Sequence, residues 1–342
     1  MLLKKLVPLC FATIAFISCG SKKNIPDVSG IQVAVKIERF DKAFFETDTN
    51  NIASGLYKLN QQFPYFFTDF TANILGVGVL TDTSKTAFEA TRRFLTTYLP
   101  VKDSIQQKFQ RVEWLEKELK KSLQFVKYYF PAYPLPKKFV TYIGPFDAPG
   151  VAITPYALAI GLQLYAGKGF SFYASMQGQE MYPLYISRRF EPEYINVNCM
   201  KAIGEDLFPD KSGGRPLIEQ IIEKGKYWYL ADQFLPETAD SLKTGFSQKQ
   251  LDWCKANEGL IWNYFLQNNN ELYTIDPDII KNYLGDAPST TGMPEIAPGN
   301  IGQWVGWQIV KKYAENNPAL TPAELMKTAA KKIFDETKYK PK

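Results

Sequence analysis

Histidine is absent from the whole chain of 342 residues. This absence excludes three kinds of catalytic site that need an imidazole: HExxH zinc hydrolases, Ser-His-Asp triads and Cys-His dyads. Cysteine is scarce, with four residues in total. No apolar run reaches the length of about 20 residues that a membrane-spanning helix requires. Any chemistry that the protein performs must therefore proceed without imidazole.

The remaining composition is that of an ordinary globular protein, with 45% hydrophobic and 22% charged residues. Aromatic side chains are abundant, with 24 Phe, 20 Tyr and 6 Trp. The formal net charge is +5. It becomes less positive if a leader carrying Lys4 and Lys5 is removed, because all 35 acidic residues then remain. Such a balanced charge argues against nucleic acid as a partner.

The first eighteen residues have the pattern of a secretory signal peptide. Lys4 and Lys5 precede an apolar run over 6–17, whose helical length of about 18 Å is too short for a hydrocarbon core. The residues before Cys19 are Phe-Ile-Ser, which is typical of a bacterial lipobox. We therefore expect a signal peptide at 1–18, acylation at Cys19 and a polar tether at 19–30. The alternative is an ordinary signal sequence that happens to contain Cys19.

Lipidation would make the membrane a partner through the N-terminal anchor, since two or three acyl chains hold a protein firmly. The expected location is the cell envelope, and Lys22 and Lys23 favour the periplasmic side. Besides Cys19, the processed chain keeps only Cys199 and Cys254. In an oxidising compartment these two could form a disulfide. The alternative is a pair of buried thiols, and the sequence leaves both open.

Hydrophobic periodicity predicts an α+β fold that is predominantly helical with a small sheet. Alternating apolar residues predict a strand over 31–37, and short β-type runs predict strands over 139–143, 151–154 and 158–164. Helices are expected over 51–63, over 83–129 as two helices broken at Pro100, and over 248–268, 300–317 and 322–336. Capping boxes at Ser247 and Thr321 mark the starts of two of them. We expect residues 31–342 to form one domain, with a helical part at 31–130.

The search for catalytic patterns that do not need histidine gives one local candidate. Glu219 and Glu223 lie four residues apart and so share a helix face, with Lys226 nearby. The functional interpretation is a site of clustered charge. The alternative is an amphipathic helix whose apolar residues face the core. Gly302 and Gly306 form a GxxxG pattern, which in a water-soluble helix allows close helix packing.

Two aromatic groups could form a platform on which a sugar stacks. One group is Tyr227, Trp228 and Tyr229, and the other is Trp304 and Trp307. The alternative is that these side chains fill a core, with one polar edge hydrogen-bonded. The abundance of aromatic residues and the lipobox together suggest one alternative function, that of an outer-membrane glycan-binding lipoprotein of a nutrient-uptake system. A histidine-free hydrolase that uses carboxylates is a further, minor alternative.

Several segments, in order along nearly the whole chain, resemble the GldB family of gliding motility lipoproteins. Besides the lipobox they are IERFDKAFFE at 37–46, LIEQIIEKGKYWYLADQFLPE at 217–237, GFSQKQLDWCKANEGLIWNYF at 245–265, IGQWVGWQIVKKY at 301–313 and YKP at 339–341. The resemblance implies a membrane-anchored, non-catalytic component that bacterial gliding requires. It also implies protein partners in the gliding or secretion machinery.

The half of the chain at 131–342 is also distantly similar to predicted zinc proteases of the zincin fold. The similarity implies an HExxH helix near 191–207, where this sequence lacks the ligand histidines. It implies a second helix at 219–229, where Glu223-Lys224-Gly225 stands in place of a Glu-Gly pair. The implied protein is a catalytically inactive scaffold without metal or cofactor. Its vestigial cleft, near Glu219 and Glu223, would be a groove for a partner or peptide.

Overall fold

The computed structural model describes residues 25–80, 85–267 and 269–341. The predicted signal peptide and Cys19 lie outside these residues. Within the described part of the chain, no helix is both long enough and apolar enough to cross a membrane. The architecture is α+β and predominantly helical with one small sheet, as expected from the sequence.

The sheet has four strands in the order β1-β2-β4-β3. They are β1 (Ile37–Arg39), β2 (Lys138–Tyr142), β3 (Val151–Ile153) and β4 (Ala157–Gly161). β2 pairs in parallel with both β1 and β4, whereas β3 is an antiparallel edge strand beside β4. All five residues of β4 are buried, as expected for an inner strand covered on both faces. The three strands predicted between 139 and 164 are confirmed with small shifts of their ends.

The strand predicted over 31–37 is mostly wrong, because the ladder begins only at Ile37. Residues 31–36 do alternate between partly buried and exposed, as the sequence pattern indicates. Their backbone is held by side chains of a helix instead of by a neighbouring strand. The Gln124 amide donates to the Ile31 carbonyl at 2.8 Å, and the Ile37 N–H donates to Glu116 at 2.9 Å. The alternation of apolar and polar residues therefore predicted the alternating burial of this segment correctly, but it did not predict whether the segment pairs with a strand.

Helices before the second strand form the predicted helical part of the chain. They are α1 (Phe40–Phe45), α2 (Ile52–Gln62), α3 (Phe67–Asp69), α4 (Lys85–Thr97), α5 (Leu99–Lys108) and α6 (Glu113–Tyr129), with a π-helical turn at Phe70–Ile74. The region 83–129 thus contains three helices where two were predicted. Pro100 lies in the first turn of α5, where its missing N–H costs no hydrogen bond. The additional break falls between Lys108 and Glu113.

Helices after the sheet build most of the remaining structure. They are α7 (Ser171–Ala174), α8 (Met176–Met181), α9 (Leu184–Ser187), α10 (Tyr194–Leu207), α11 (Leu217–Phe234), α12 (Asp240–Thr244), α13 (Gln248–Ala256), α14 (Glu258–Gln267), α15 (Asn269–Leu272), α16 (Pro277–Leu284), α17 (Ile301–Asn316), α18 (Pro322–Lys327) and α19 (Ala330–Thr337). Both predicted capping boxes are present, at Ser247 and Thr321. The helices predicted over 248–268 and 322–336 are each two helices, separated at Asn257 and at Thr328–Ala329.

Two large hydrophobic clusters cover the two faces of the sheet, and a third packs the last helices together. Phe139, Leu158 and Ile160 point from one sheet face into a cluster shared with α6, α10 and α11. Val140 and Tyr142 point from the opposite face into a phenylalanine-rich cluster with α1 and α2. The helices that follow α11 share a further cluster with α11 itself. Successive residues of one strand thus point to opposite faces of the sheet and pack into two different hydrophobic clusters, as the pleat of a strand requires.

Cys199 and Cys254 are both free and buried. Cys199 lies in the cluster against the sheet, and Cys254 lies in the cluster of the last helices. Of the two alternatives left open by the sequence, the structure contains the buried thiols. Burial raises the pKa of the Cys254 thiol to about 12 and raises the pKa of Cys199 further.

Candidate functional site

The main helix contact of the protein joins α11 to α17 through two glycines. A Cβ atom built on Gly306 would lie 1.9 Å from the carbonyl oxygen of Ile221, and one built on Gly225 would lie 2.1 Å from the carbonyl carbon of Gly306. No side chain fits at such distances, so the two backbones touch directly. The interpretation of the glycines in α17 as a close packing surface is confirmed.

A buried polar network crosses this helix pair. The indole N–H of Trp307 on α17 donates to Asp232 on α11 at 2.8 Å. The ammonium of Lys243 on α12 donates to the other carboxylate oxygen of Asp232 and pairs with Asp240 at 3.0 Å. Asp232 and Lys243 are almost fully buried, and Trp307 is 2% exposed. These charges are compensated inside the core, and their contacts connect α11 to α17 and α12.

Lys226 joins α11 to the last two helices. Its ammonium donates to the carbonyls of Thr328 at 2.6 Å and Met326 at 3.4 Å, and to the Glu223 carboxylate at 2.9 Å. The carbonyl partners belong to the end of α18 and the break before α19. Burial lowers the pKa of Lys226, and Glu223 acts in the opposite direction. These contacts hold α11 against the end of α18 and the break before α19, so the role of Lys226 is structural.

Glu219 and Glu223 lie on the predicted helix, but in separate structural ion pairs. Glu219 lies 3.7 Å from Arg215, and Glu223 is held by Lys226. The apolar residues just before and between them are buried in the core, as the amphipathic interpretation expects: Leu217, Ile218, Ile221 and Ile222. Neither glutamate lines the cavities found beside α10. The structure thus gives no convergent carboxylate pair at these positions.

The two aromatic groups fill the core and do not form an open platform. Trp228, Trp304 and Trp307 are 6%, 1% and 2% exposed, and Tyr227 and Tyr229 are half-buried. Trp228 packs edge-on against Trp307 with ring centroids 5.8 Å apart. A sugar ring could reach neither Trp304 nor Trp307. The core interpretation of these tryptophans is confirmed.

A cavity of about 250 Å³ lies beside the helix crossing. Lys201 on α10 and Lys224 and Tyr227 on α11 line it, together with Arg189 and with Asn300 at the start of α17. Arg189 is bound to Asp286 at 2.9 Å, and Lys224 is bound to Asp210 at 2.7 Å. Sequence reasoning missed Lys201. The available signal was a lysine between Met200 and Ile203, inside an otherwise apolar stretch of helix.

The paired helices implied by the distant zincin similarity are present in the structure. α10 packs against α11 and against the edge strand β3. On the same helix, the Asn198 amide donates to the hydroxyl of Tyr165 at 2.9 Å. Among the residues that the structure describes, no group of three or more Cys, Asp or Glu side chains could hold a metal ion. Kinship with the zincins stays a prediction.

These observations define a helix-rich α+β protein in which Glu219 and Glu223 of α11 form structural ion pairs. The chain belongs to the family described as gliding motility protein GldB, whose lipoprotein family model matches residues 21–341. The earlier resemblance to this family is confirmed. No curated protein and no solved structure matches the chain.

Proposed function

We propose that the protein is a non-catalytic lipoprotein component of the gliding machinery, held at a membrane by acylation of Cys19. The observation that carries the proposal is the family match, which extends over nearly the whole chain. The lipobox before Cys19 supports the anchor, since it follows a short apolar leader. Lys22 and Lys23 favour a periplasmic orientation for the folded domain.

Two features support a non-catalytic role. The absence of histidine removes the commonest general base and metal ligand from the whole chain. The carboxylates of Glu219 and Glu223, which are the local catalytic candidates, are engaged in ion pairs with Arg215 and Lys226. We infer that this part of the protein is a scaffold, which acts by binding other components of the machinery.

The anchor is tested by labelled fatty-acid incorporation and by cell fractionation. Cys19→Ala should abolish incorporation and leave the protein unprocessed or released from the membrane. Cys10→Ala is the matched control, because Cys10 lies within the predicted signal peptide and should change neither result. If the Cys19→Ala protein still incorporates fatty acid, the lipobox assignment is wrong.

The non-catalytic role is tested by the double substitution Glu219→Gln and Glu223→Gln. These changes keep side-chain size and hydrogen-bonding capacity while removing both carboxylates. We expect the double variant to restore surface spreading to a deletion strain, provided that it accumulates to the wild-type level. A normally accumulating variant that fails to restore spreading would show that the carboxylates have a direct role.

A further inference from the structure

Lys201 on α10 carries a charge that no direct ion pair within the described part of the chain neutralises. It forms no hydrogen bond or ion pair with another described residue, in contrast to Arg189 and Lys224 in the same cavity. Lys201 also lines a second cavity of about 300 Å³, on the side of the edge strand β3. Its side chain therefore lies where two cavities meet, with space around it for a ligand.

Keeping an ammonium in this position is unfavourable for the folded protein. Burial, together with the positive charge of Arg189, lowers the pKa of Lys201 to about 8, although Asp286 and Glu205 act in the opposite direction. Lys201 is half-buried. A partly desolvated charge without a direct partner is unfavourable, and a bound anion would stabilise it.

A second polar atom on the same cavity, the side-chain oxygen of Asn300, also lacks a partner. Asn300 is 7% exposed, and none of the described residues donates a hydrogen bond to this buried oxygen. Its amide N–H group donates to Asp286 at 3.1 Å, which orients the side chain. Asn300 holds a left-handed backbone, with φ of 51°, at the N-cap of the 16-residue helix α17. The positive end of that helix thus lies at the cavity wall.

We propose that this cavity binds a small oxyanion that also carries a hydrogen-bond donor, with Lys201 as its cationic partner and the Asn300 side-chain oxygen as the acceptor for its donor. The ligand class follows from the two unpartnered groups, one cationic and one accepting. A hydroxy acid or a protonated phosphate carries both functions within the size of the cavity. The inference is independent of the proposed role in gliding, because it rests only on the residues around the cavity.

The test compares glycolate and acetate, which are matched monoanions at pH 7, and phosphate, which is a mixture of monoanion and dianion, at constant ionic strength with chloride as the reference. Glycolate and phosphate carry a donor hydroxyl, whereas acetate does not. Because a ligand that binds only the folded state raises the unfolding temperature, calorimetric scans give a first measure of binding. Titration calorimetry then gives the dissociation constants. We expect glycolate or phosphate to bind, and acetate to bind more weakly than glycolate.

Three substitutions assign the binding to the cavity. Lys201→Met should weaken the affinity roughly 10- to 100-fold, as expected for loss of a charge-assisted hydrogen bond. Lys249→Met removes the same charge at an exposed position on α13 and should leave the affinity unchanged. Asn300→Gly tolerates the left-handed backbone but lacks the acceptor, so it should remove the preference for glycolate over acetate.

The outcomes separate the parts of the proposal. Absence of binding by all three anions, or equal binding by the wild type and Lys201→Met, would overturn it. Equal affinity for glycolate and acetate in the wild type would overturn the role of Asn300. A normal motility phenotype would leave the calorimetric result intact, so failure here and failure of the gliding role are distinguishable.

Discussion

Gly225 on α11 and Gly306 on α17 bring their backbones into direct contact, with no room for a Cβ atom on either residue. Around this contact lie the carbonyl of Ile221, which touches Gly306, and the backbone nitrogen of Trp307, which lies beside Gly225. The cavity at Lys201 lies beside the same pair of helices. The close approach of α11 to α17 therefore packs these two helices directly together, and residues of both helices line the cavity at Lys201.

Gly306→Ala should destabilise the protein by about 3 kcal/mol, because the added methyl group meets backbone that cannot move without separating the helices. The higher helix propensity of alanine offsets only about 1 kcal/mol. Gly213→Ala is the control, since a Cβ there meets no atom within 4 Å. Denaturant unfolding measures both variants. Equal stability of Gly306→Ala and the wild type would contradict the close contact.

Trp307→Phe should cost about 2 kcal/mol beyond the loss of ring volume, because Asp232 loses a buried hydrogen bond. Trp304→Phe on the same helix is the matched comparison. Trp304 is equally buried, but its indole N–H has no hydrogen-bond partner among the residues that the structure describes. Its replacement should therefore cost packing alone. Thermal unfolding should rank Trp304→Phe above Trp307→Phe in stability, and the reverse order would contradict the assignment of the network.

The two free thiols should resist modification in the folded protein. Burial raises the pKa of both Cys199 and Cys254, so little reactive thiolate forms at neutral pH. We expect an aromatic disulfide reagent to react with both only after denaturation. Peptide mapping without reductant should recover each cysteine on a separate peptide. A linked peptide that contains both residues would show that the native protein has a disulfide.

Lys201→Met should make the protein more stable at neutral pH. The pKa of Lys201 falls to about 8 in the folded protein from an ordinary value of 10.5, so the unfolded chain binds more protons between these values. Wild-type stability should therefore rise with pH from about 8 to 10.5 through this residue, by on the order of 3 kcal/mol.

The difference between wild type and Lys201→Met isolates this contribution from the other titrating groups. The charged and titratable groups that line the two cavities are Arg189, Glu205, Lys224, Tyr227, Asp286 and Tyr165. Because they are present in both proteins, they largely cancel in the comparison. We expect the stability difference to shrink as the pH rises from 8 to 10.5. A constant difference across this interval would show that the pKa of Lys201 is ordinary.

Local signals in the sequence were sufficient to predict where several helices begin and where the inner strands lie. The hydroxyls of Ser247 and Thr321 accept from the backbone three residues later, as their capping boxes predicted. The break at Asn257 was missed because a single asparagine is a weak signal. Its side chain donates to the Trp253 carbonyl at 2.8 Å and so helps to end α13.

Features that depend on residues far apart in the sequence were harder to predict from the sequence alone. The GxxxG pattern predicted close packing at Gly306, but Gly225 became its partner only through the arrangement of α11. Lys201 and Asn300 are about a hundred positions apart in sequence, and no local pattern relates them. Their cavity forms where α10, α11 and the start of α17 meet. A ligand site assembled in this way has no spacing that a sequence could reveal.

The central claim, a lipid-anchored role in gliding, is tested most directly by surface spreading of cells that carry an in-frame deletion of this gene. The deletion strain should stop spreading, and the wild-type gene should restore it. The Cys19→Ala gene should fail to restore spreading because its product lacks the anchor. If the deletion strain spreads normally, or if Cys19→Ala restores spreading fully while remaining unlipidated, the account of this protein is contradicted.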